Sequence, residues 1–176
     1  HFGFCYGVEN AIEISYKALE DNPGKRIFLL SQMIHNPEVN ADLESHGLRF
    51  IQDTHGEMLM DWNEITKDDI VIIPAFGTTI ETENRLKAIG IDPLMHNTTC
   101  PFVEKVWKRS AQLGVQDHTV VIHGKAAHEE TRATFSHTAQ GAPAVIVKDM
   151  AETIELGRII SGEVPLERFH ELFGER

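Results

Sequence analysis

The feature that most constrains this chain is the alternation of short apolar runs with amphipathic stretches of helical length. Five runs are rich in β-branched or aromatic residues and are bounded by turn residues; they cover residues 26–30, 48–51, 69–76, 119–124 and 144–148. The helical patterns cover residues 8–19, 36–46, 80–89, 99–113 and 150–161. Because strands that alternate with helices pair in parallel, this order predicts an α/β fold with parallel sheets.

The alternation also predicts two small α/β domains. A further strand over residues 93–96 would complete one set of elements, and the next helix would open another. We therefore expect a first domain over residues 1–98 that carries Cys5, and a second, incomplete domain over residues 99–176 that carries Cys100. Each domain has a cysteine at the start of a helix, a pattern that suggests pseudo-symmetry.

Composition narrows the class of protein. Apolar residues make up 41% of the chain, which is enough for a core, and no apolar run is long enough to cross a membrane. The net charge of -11 argues against nucleic acid as a partner, because phosphate-backbone binding needs a basic surface. Without a signal-peptide pattern we expect the cytoplasm, or a plastid stroma. The chain begins with histidine, almost directly on a cysteine motif, so we expect a fragment cut at both ends.

The two cysteines are the first candidates for chemistry. Cys5 lies between Gly3 and Gly7, just before a predicted helix, and Cys100 precedes Pro101, a residue that suits the first turn of a helix. A helix N-terminus stabilises a thiolate, the form that binds metals or attacks substrates. Alternatively, the glycines only permit a tight turn and both cysteines are buried in the core. Their positions leave both interpretations open.

Two histidines follow predicted strands, where parallel sheets bind ligands. His35 comes after the run over residues 26–30, and His128 comes after the run over residues 119–124. Taken singly, each histidine is better explained as a loop residue satisfied by the backbone.

A carboxyl group accompanies the second histidine. If the segment is extended, alternation puts the side chains of His128 and Glu130 on one side and directs Glu129 away. A histidine that holds an anion beside a carboxyl group that carries a proton suits the reductive loss of a hydroxyl group. Alternatively, Glu129 and Glu130 only place charge in the first turn of a helix.

Several large apolar residues are interpreted as core rather than as parts of a site. They are Trp62 and Trp107, together with Phe102 and Val106, which are at helical spacing.

Five motifs, in order along residues 1–131, resemble the 4-hydroxy-3-methylbut-2-enyl diphosphate reductase family, also called IspH or LytB. The motifs are Gly3-Phe4-Cys5-Tyr6-Gly7-Val8, Ile34-His35-Asn36-Pro37, Ile73-Pro74-Ala75-Phe76-Gly77, Thr98-Thr99-Cys100-Pro101-Phe102-Val103 and His123-Gly124-Lys125-Ala126-Ala127-His128-Glu129-Glu130-Thr131. A sixth segment, from Ile146 to Glu152, resembles the plant and cyanobacterial branch.

This resemblance implies three small α/β domains around a 4Fe-4S cluster, each supplying one cysteine ligand. Cys5 and Cys100 match the first two ligands, and the third would belong to a domain beyond residue 176. Three thiolates leave one iron open to the substrate hydroxyl group. The implied reaction is the last step of the non-mevalonate isoprenoid pathway. Two electrons from ferredoxin or flavodoxin remove the hydroxyl group as water, giving isopentenyl and dimethylallyl diphosphate.

The resemblance also implies roles for other residues. His35 and His128 match histidines that hold the diphosphate, with Asn36 as a neighbouring substrate-binding residue, and Glu130 matches the carboxylic acid that delivers protons. Many family members have a further histidine where this chain has Phe76, which leaves one donor fewer for the diphosphate.

Two other classes of protein remain open. A metal-free enzyme would use one cysteine as a nucleophile and His128 as its base, and a reagent that alkylates thiols would trap it without any iron being present. A noncatalytic α/β binding module or remnant would show neither iron nor turnover.

Overall fold

The structure is a computed structural model that describes residues 3–174. The chain forms two compact units, of which the first extends to Val106 and the second begins at Trp107. This boundary lies inside the helix Pro101–Val115, so the N-terminal end of that helix, with Cys100, belongs to the first unit. The compact units do not test the predicted domain boundary between residues 98 and 99, which stays a prediction.

The first unit contains a three-stranded parallel sheet in the order β2-β1-β3. In chain order its elements are α1 (Tyr6–Asp21), β1 (Ile27–Leu29), α2 (Pro37–Ser45), β2 (Arg49–Phe50), β3 (Ile70–Ile72) and α3 (Ile80–Ile89), followed by the start of α4 (Pro101–Val115). A single 3-10 turn at Trp62–Glu64 precedes β3.

Both faces of this sheet are covered, which explains why β1 and β3 are continuous apolar runs. Alternate residues point into two separate cores: Ile27, Leu29, Ile70 and Ile72 into one, and Phe28 and Val71 into the other. The first core is closed by α1 and α2 through Ala11, Ala18 and Leu43, and the second by α3 and the segment before β3 through Leu86, Trp62 and Ile65.

The second unit contains a two-stranded parallel sheet. After the remainder of α4, its elements are β4 (Val120–His123), α5 (Glu129–Thr138), β5 (Ala144–Val147), α6 (Met150–Ile160) and α7 (Glu167–Phe173). Its core joins β5 to α6 and α7 and consists of Val145, Val147, Leu156, Ile159 and Phe173. The two sheets confirm the predicted α/β class with parallel strands.

One predicted strand is wrong. Residues 93–96 form a turn, and only Asn97, directly after them, makes a single parallel bridge, with Ile73. The side chain of Asp92 accepts a hydrogen bond from the N–H of Leu94 across Pro93, and this Asp-Pro chemistry favours a turn over a strand.

The assignment of Phe102 and Val106 to the core is also wrong. In this chain they are 63% and 51% exposed, whereas Trp62 is buried and Trp107 is half-buried. Helical spacing indicates that these two apolar side chains share one face of α4, but spacing alone does not tell whether another part of the same chain covers that face.

A helix that was not predicted follows α6. The segment Glu167–Phe173 is rich in charge, yet Phe169 and Phe173 lie one helical turn apart and their rings are 5.3 Å from each other. Within residues 3–174, none of the helices combines the length and the apolar character that crossing a membrane would require.

Candidate functional site

Cys5 occupies the N-cap of α1. Its carbonyl oxygen accepts hydrogen bonds from the N–H groups of Val8 and Glu9, both at 3.0 Å, while its own backbone is extended. The side chain is exposed. The sequence therefore correctly predicted a cysteine at a helix start, although the helix begins at Tyr6, two positions earlier than the periodicity indicated.

Cys100 occupies the equivalent position at the start of α4. Its carbonyl oxygen accepts from Val103 at 2.9 Å and Glu104 at 3.1 Å, and Pro101 takes the first helical position, where its missing N–H is no loss. Its thiol is half-buried.

The segment before Cys100 is held against the end of β3. Thr98 donates through its N–H at 3.1 Å and through its hydroxyl group at 2.5 Å to the carbonyl oxygen of Ile73, and the N–H of Cys100 donates to the carbonyl oxygen of Ala75 at 2.9 Å. Thr98 is fully buried. These bonds fix the backbone that carries Cys100 at the carboxyl end of the sheet.

Gly7 lets Cys100 approach the first turn of α1. It lies in the first turn of α1, two residues after Cys5, and a Cβ atom added there would be 2.5 Å from the sulfur of Cys100. Gly7 does not have a positive φ angle, so its role is to leave space rather than to permit a tight turn. Cys100 thus packs directly against the start of the helix that Cys5 caps.

This arrangement suits two of the thiolate ligands of an iron–sulfur cluster. The space that Gly7 leaves is occupied by a sulfur, and both thiols lie at helix N-termini, where positive partial charge favours anions. Within residues 3–174, histidine, cysteine and carboxylate side chains do not form any group of three or more that could hold a metal ion. Within residues 3–174, Cys5 and Cys100 therefore fit two of the thiolate ligands of such a cluster, not a complete set.

His35 and Asn36 lie in the loop between β1 and α2. Asn36 is the N-cap of α2, and its side-chain oxygen accepts from the N–H groups of Glu38 at 3.0 Å and Val39 at 3.3 Å. His35 is exposed, and its ring stacks on that of Phe76, with 4.5 Å between ring centroids and 23° between ring planes.

His128 lies in the second unit, as the N-cap of α5. Its Nδ1 atom accepts a hydrogen bond of 3.3 Å from the N–H of Glu130. A neutral imidazole that accepts through Nδ1 carries its proton on Nε2. The cap therefore sets the tautomer in which Nε2 is the donor.

The expected alternation of His128 and Glu130 is wrong. His128 is extended, but Glu129 and Glu130 already belong to α5 and form its first turn, the alternative that the sequence left open. Glu130 is exposed, whereas Glu129 is only 6% exposed and lies inside the second unit. The different environments of the two glutamates come from helix geometry, not from strand alternation.

Sequence reasoning missed two contributors to this site. The glycine pattern predicts only a turn at Gly7, and the resemblance implies only a missing donor at Phe76. The spacing of Gly7, two residues after a cysteine at a helix start, was a usable signal for close approach. The sequence carries no signal for the stacking of Phe76 on His35, because the two residues come together through the pairing of β1 with β3.

Comparisons with known proteins agree with these features. A family model described as LytB protein matches residues 1–164. A 4-hydroxy-3-methylbut-2-enyl diphosphate reductase of Synechocystis sp. is 40% identical over 151 residues, which is 86% of this chain and 38% of that protein. A protein of the same name from Synechococcus sp. is 35% identical over 174 residues, or 99% of this chain and 42% of that protein.

Two solved structures share the fold, each at 24% identity. An (E)-4-hydroxy-3-methyl-but-2-enyl diphosphate reductase gives a TM-score of 0.72 over 98% of this chain and 60% of that one. An E-1-hydroxy-2-methyl-but-2-enyl-4-diphosphate reductase of Plasmodium falciparum gives 0.73 over 87% of this chain and 44% of that one.

The chain thus spans about two fifths of the length of these curated relatives, 38% and 42% of the two proteins named. The family model covers nearly all of the chain, including both cysteine motifs and both histidine motifs. The chain belongs to the LytB protein family.

Proposed function

We propose that this chain is part of a 4-hydroxy-3-methylbut-2-enyl diphosphate reductase, the enzyme of the last step of the non-mevalonate isoprenoid pathway. The observation that carries the proposal is the packing of the Cys100 sulfur against Gly7, in the first turn of the helix that Cys5 caps. The names of the cyanobacterial relatives, at 35–40% identity, support the same reaction.

In this proposal Cys5 and Cys100 would hold a 4Fe-4S cluster together with a third cysteine that lies outside this chain. When bound, the cluster would supply the two electrons of the reduction, which it receives from ferredoxin or flavodoxin. The thiols are well suited to this role because one unit fixes both of them at helix starts.

The diphosphate would be held by residues at two other helix starts. His35 directly precedes the N-cap of α2, and His128 is the N-cap of α5. Helix N-termini offer N–H groups and positive partial charge to phosphates. Because the net charge of the chain is -11, a diphosphate needs such local positive charge in order to bind. His128 would donate from Nε2, and the amide nitrogen of Asn36 could donate while its oxygen continues to cap α2.

Glu130 would deliver the two protons that the reaction consumes, one to the leaving hydroxyl group and one to the allylic product, and would take up a proton from solvent between the two steps. Its exposure leaves the carboxyl group accessible to a substrate, whereas that of Glu129 is enclosed in the unit. The reaction then takes place in the cytoplasm, or in a plastid stroma, where soluble electron donors are available.

The test is anaerobic purification of the complete protein, followed by assays of iron, sulfide and turnover. We expect four irons per chain, and we expect Cys5→Ser and Cys100→Ser each to lose most of the cluster and the activity. Thr79→Ala is the matched control, because it removes the N-cap hydrogen bond of α3 at a cost of about 1 kcal/mol without touching a thiol, and it should keep its iron.

Other results would point to the two remaining classes of protein. Trapping of a cysteine by an alkylating reagent in an active, iron-free protein would support a metal-free Cys/His enzyme. A complete protein with neither iron nor turnover would support a noncatalytic binding module or remnant.

A further inference from the structure

The stacked rings of His35 and Phe76 join two separate strand ends of the first unit. His35 follows β1 and Phe76 follows β3, and these strands are paired in parallel through Leu29 and Ile72. The ring centroids are 4.5 Å apart and the planes are inclined by 23°, which is an offset stacked arrangement. One residue is exposed and the other half-buried, so an anchored ring supports an accessible one.

The backbone on either side of Phe76 is held in place. The preceding residue, Ala75, is buried, donates to the carbonyl oxygen of Met33 at 3.4 Å and accepts from the N–H of Cys100 at 2.9 Å. The following residue, Gly77, has a φ of 76° and donates to the carbonyl oxygen of Pro74 at 2.9 Å, closing a turn that favours glycine at this position. The backbone that carries the Phe76 ring is therefore fixed on both sides.

A stacked neighbour restrains an imidazole ring without using its hydrogen-bonding atoms. The ring nitrogens of histidine donate and accept in the plane of the ring, whereas Phe76 covers one of its faces. An exposed histidine without such a contact exchanges between rotamers, and fixing it on binding costs entropy. The stack removes part of that cost in advance.

We propose that Phe76 is a positioning residue that holds the His35 ring ready to donate to the diphosphate of the substrate. The inference rests on the proposed function, to which it adds a reason for an aromatic side chain at this place. The same turn holds the N–H of Cys100, so a single backbone segment positions both a phosphate-binding ring and a thiol.

The first test measures the His35 ring itself. In NMR spectra of the 176-residue chain, ring-current shifts should move the His35 side-chain protons upfield. Phe76→Leu should remove this shift, and Phe76→Tyr should restore it. Phe50→Leu is the matched control, because Phe50 is also a half-buried phenylalanine at the end of a strand of the same sheet, and it should leave the His35 signals unchanged.

The second test measures affinity, with inorganic diphosphate as the probe and the complete protein as the sample. Phe76→Leu should weaken binding about three- to tenfold, as expected for loss of one aromatic pair. Phe76→Tyr should bind like the wild type. In turnover assays the Michaelis constant should rise by a similar factor, while kcat changes little, since the stack acts on binding.

Two results would overturn the proposal in different ways. If Phe76→Leu keeps the His35 shifts and the affinity while His35→Ala loses affinity, the stack is incidental and the proposed function stands. If His35→Ala binds diphosphate as tightly as the wild type, both the positioning role and the assignment of His35 as a diphosphate ligand are wrong.

Discussion

A methyl group added at Gly7 would meet the sulfur of Cys100 at 2.5 Å and its Cβ atom at 3.2 Å. Both distances are shorter than ordinary contacts, and the Cys100 backbone cannot retreat easily because its N–H is bonded to Ala75. At the scale of single residues, the position of the Cys100 thiol therefore requires a glycine at position 7 of α1.

This dependence gives the first prediction. Gly7→Ala should lower the free energy of unfolding by about 1–3 kcal/mol through overpacking and should reduce the iron content of the complete protein. The control is Gly157→Ala in α6, where an added Cβ meets nothing within 4 Å. That change should raise stability by roughly 0.5–1 kcal/mol, since alanine is the better helix former. Equal stabilisation of both variants in thermal unfolding would contradict the close approach.

The two glutamates at the start of α5 give the second prediction. In the complete protein, Glu130→Gln should lower kcat by about a hundredfold or more, with cluster and substrate affinity retained, because a group that moves a proton acts in the transition state. The substitution keeps the backbone N–H of Glu130, which donates to the N-cap residue His128.

Glu129→Gln is the comparison for this prediction. Glu129 is enclosed in the second unit, so any effect should appear in thermal unfolding rather than in kcat. Equal losses of kcat in the two variants would mean that both glutamates only charge the first turn of the helix.

At the scale of elements, an ion pair between the exposed Arg26 and the buried Asp69 joins the starts of β1 and β3. Asp69 accepts from the Nε atom of Arg26 at 2.8 Å and from Nη2 at 2.6 Å, and also from the N–H and hydroxyl group of Thr66. Burial opposes the charge of Asp69, but these donors outweigh it and hold the pKa of Asp69 below its ordinary value.

The third prediction follows from the sign of that shift. Because the folded pKa of Asp69 lies below the unfolded value of about 3.9, its contribution to stability is complete above that pH. The contribution is lost as the pH falls through the folded pKa. Asp69→Asn should destabilise the first unit by roughly 1.5–3 kcal/mol at neutral pH and flatten the acid limb of the stability curve. Chemical unfolding between pH 2 and pH 7 measures both effects, and an unchanged acid limb would contradict this role.

The elements that could be predicted are those whose end signals and apolar pattern match the burial they have in the structure. The helix Ile80–Ile89 was predicted at both ends, since Thr79 caps its start and Gly90, with a φ of 97°, ends it. The buried strands β1 and β3 were also predicted, although β3 is shorter than the run over residues 69–76.

The features that could not be predicted depend on contacts distant in sequence. The exposure of Phe102 depends on which elements cover α4, and the stack of Phe76 on His35 depends on strand pairing. The cysteines are recognisable as helix-start residues, but the approach of Cys100 to Gly7 depends on how the end of β3 places Cys100 beside α1. Local pattern thus identified the candidate residues, and tertiary packing determined their neighbours.

At the scale of the whole molecule, the chain provides two thiols where the proposed cluster needs three. The relatives are more than twice as long, and the chain spans 38% and 42% of the two compared above.

The fourth prediction is that the 176-residue chain alone will not hold a stable four-iron cluster after anaerobic reconstitution. Two thiolates leave two irons of a cubane without protein ligands or cover. Iron and sulfide assays on the isolated chain and on the complete protein provide the comparison. Stoichiometric four-iron incorporation with reductase activity in the isolated chain would contradict the prediction.

The pairing of residues 96–100 with the end of β3 has a dynamic consequence. The N–H of Ile73 donates to His96, that of Thr98 to Ile73 and that of Cys100 to Ala75, so three hydrogen bonds surround the single parallel bridge at the edge of the sheet. Hydrogen bonds at such an edge generally open at a lower free energy than those of a central strand, which here is β1. We therefore expect the amide of Cys100, the last in this set of bonds, to reach solvent in local openings that leave β1 intact. Amide hydrogen exchange would record this opening as faster exchange at Cys100 than at Phe28.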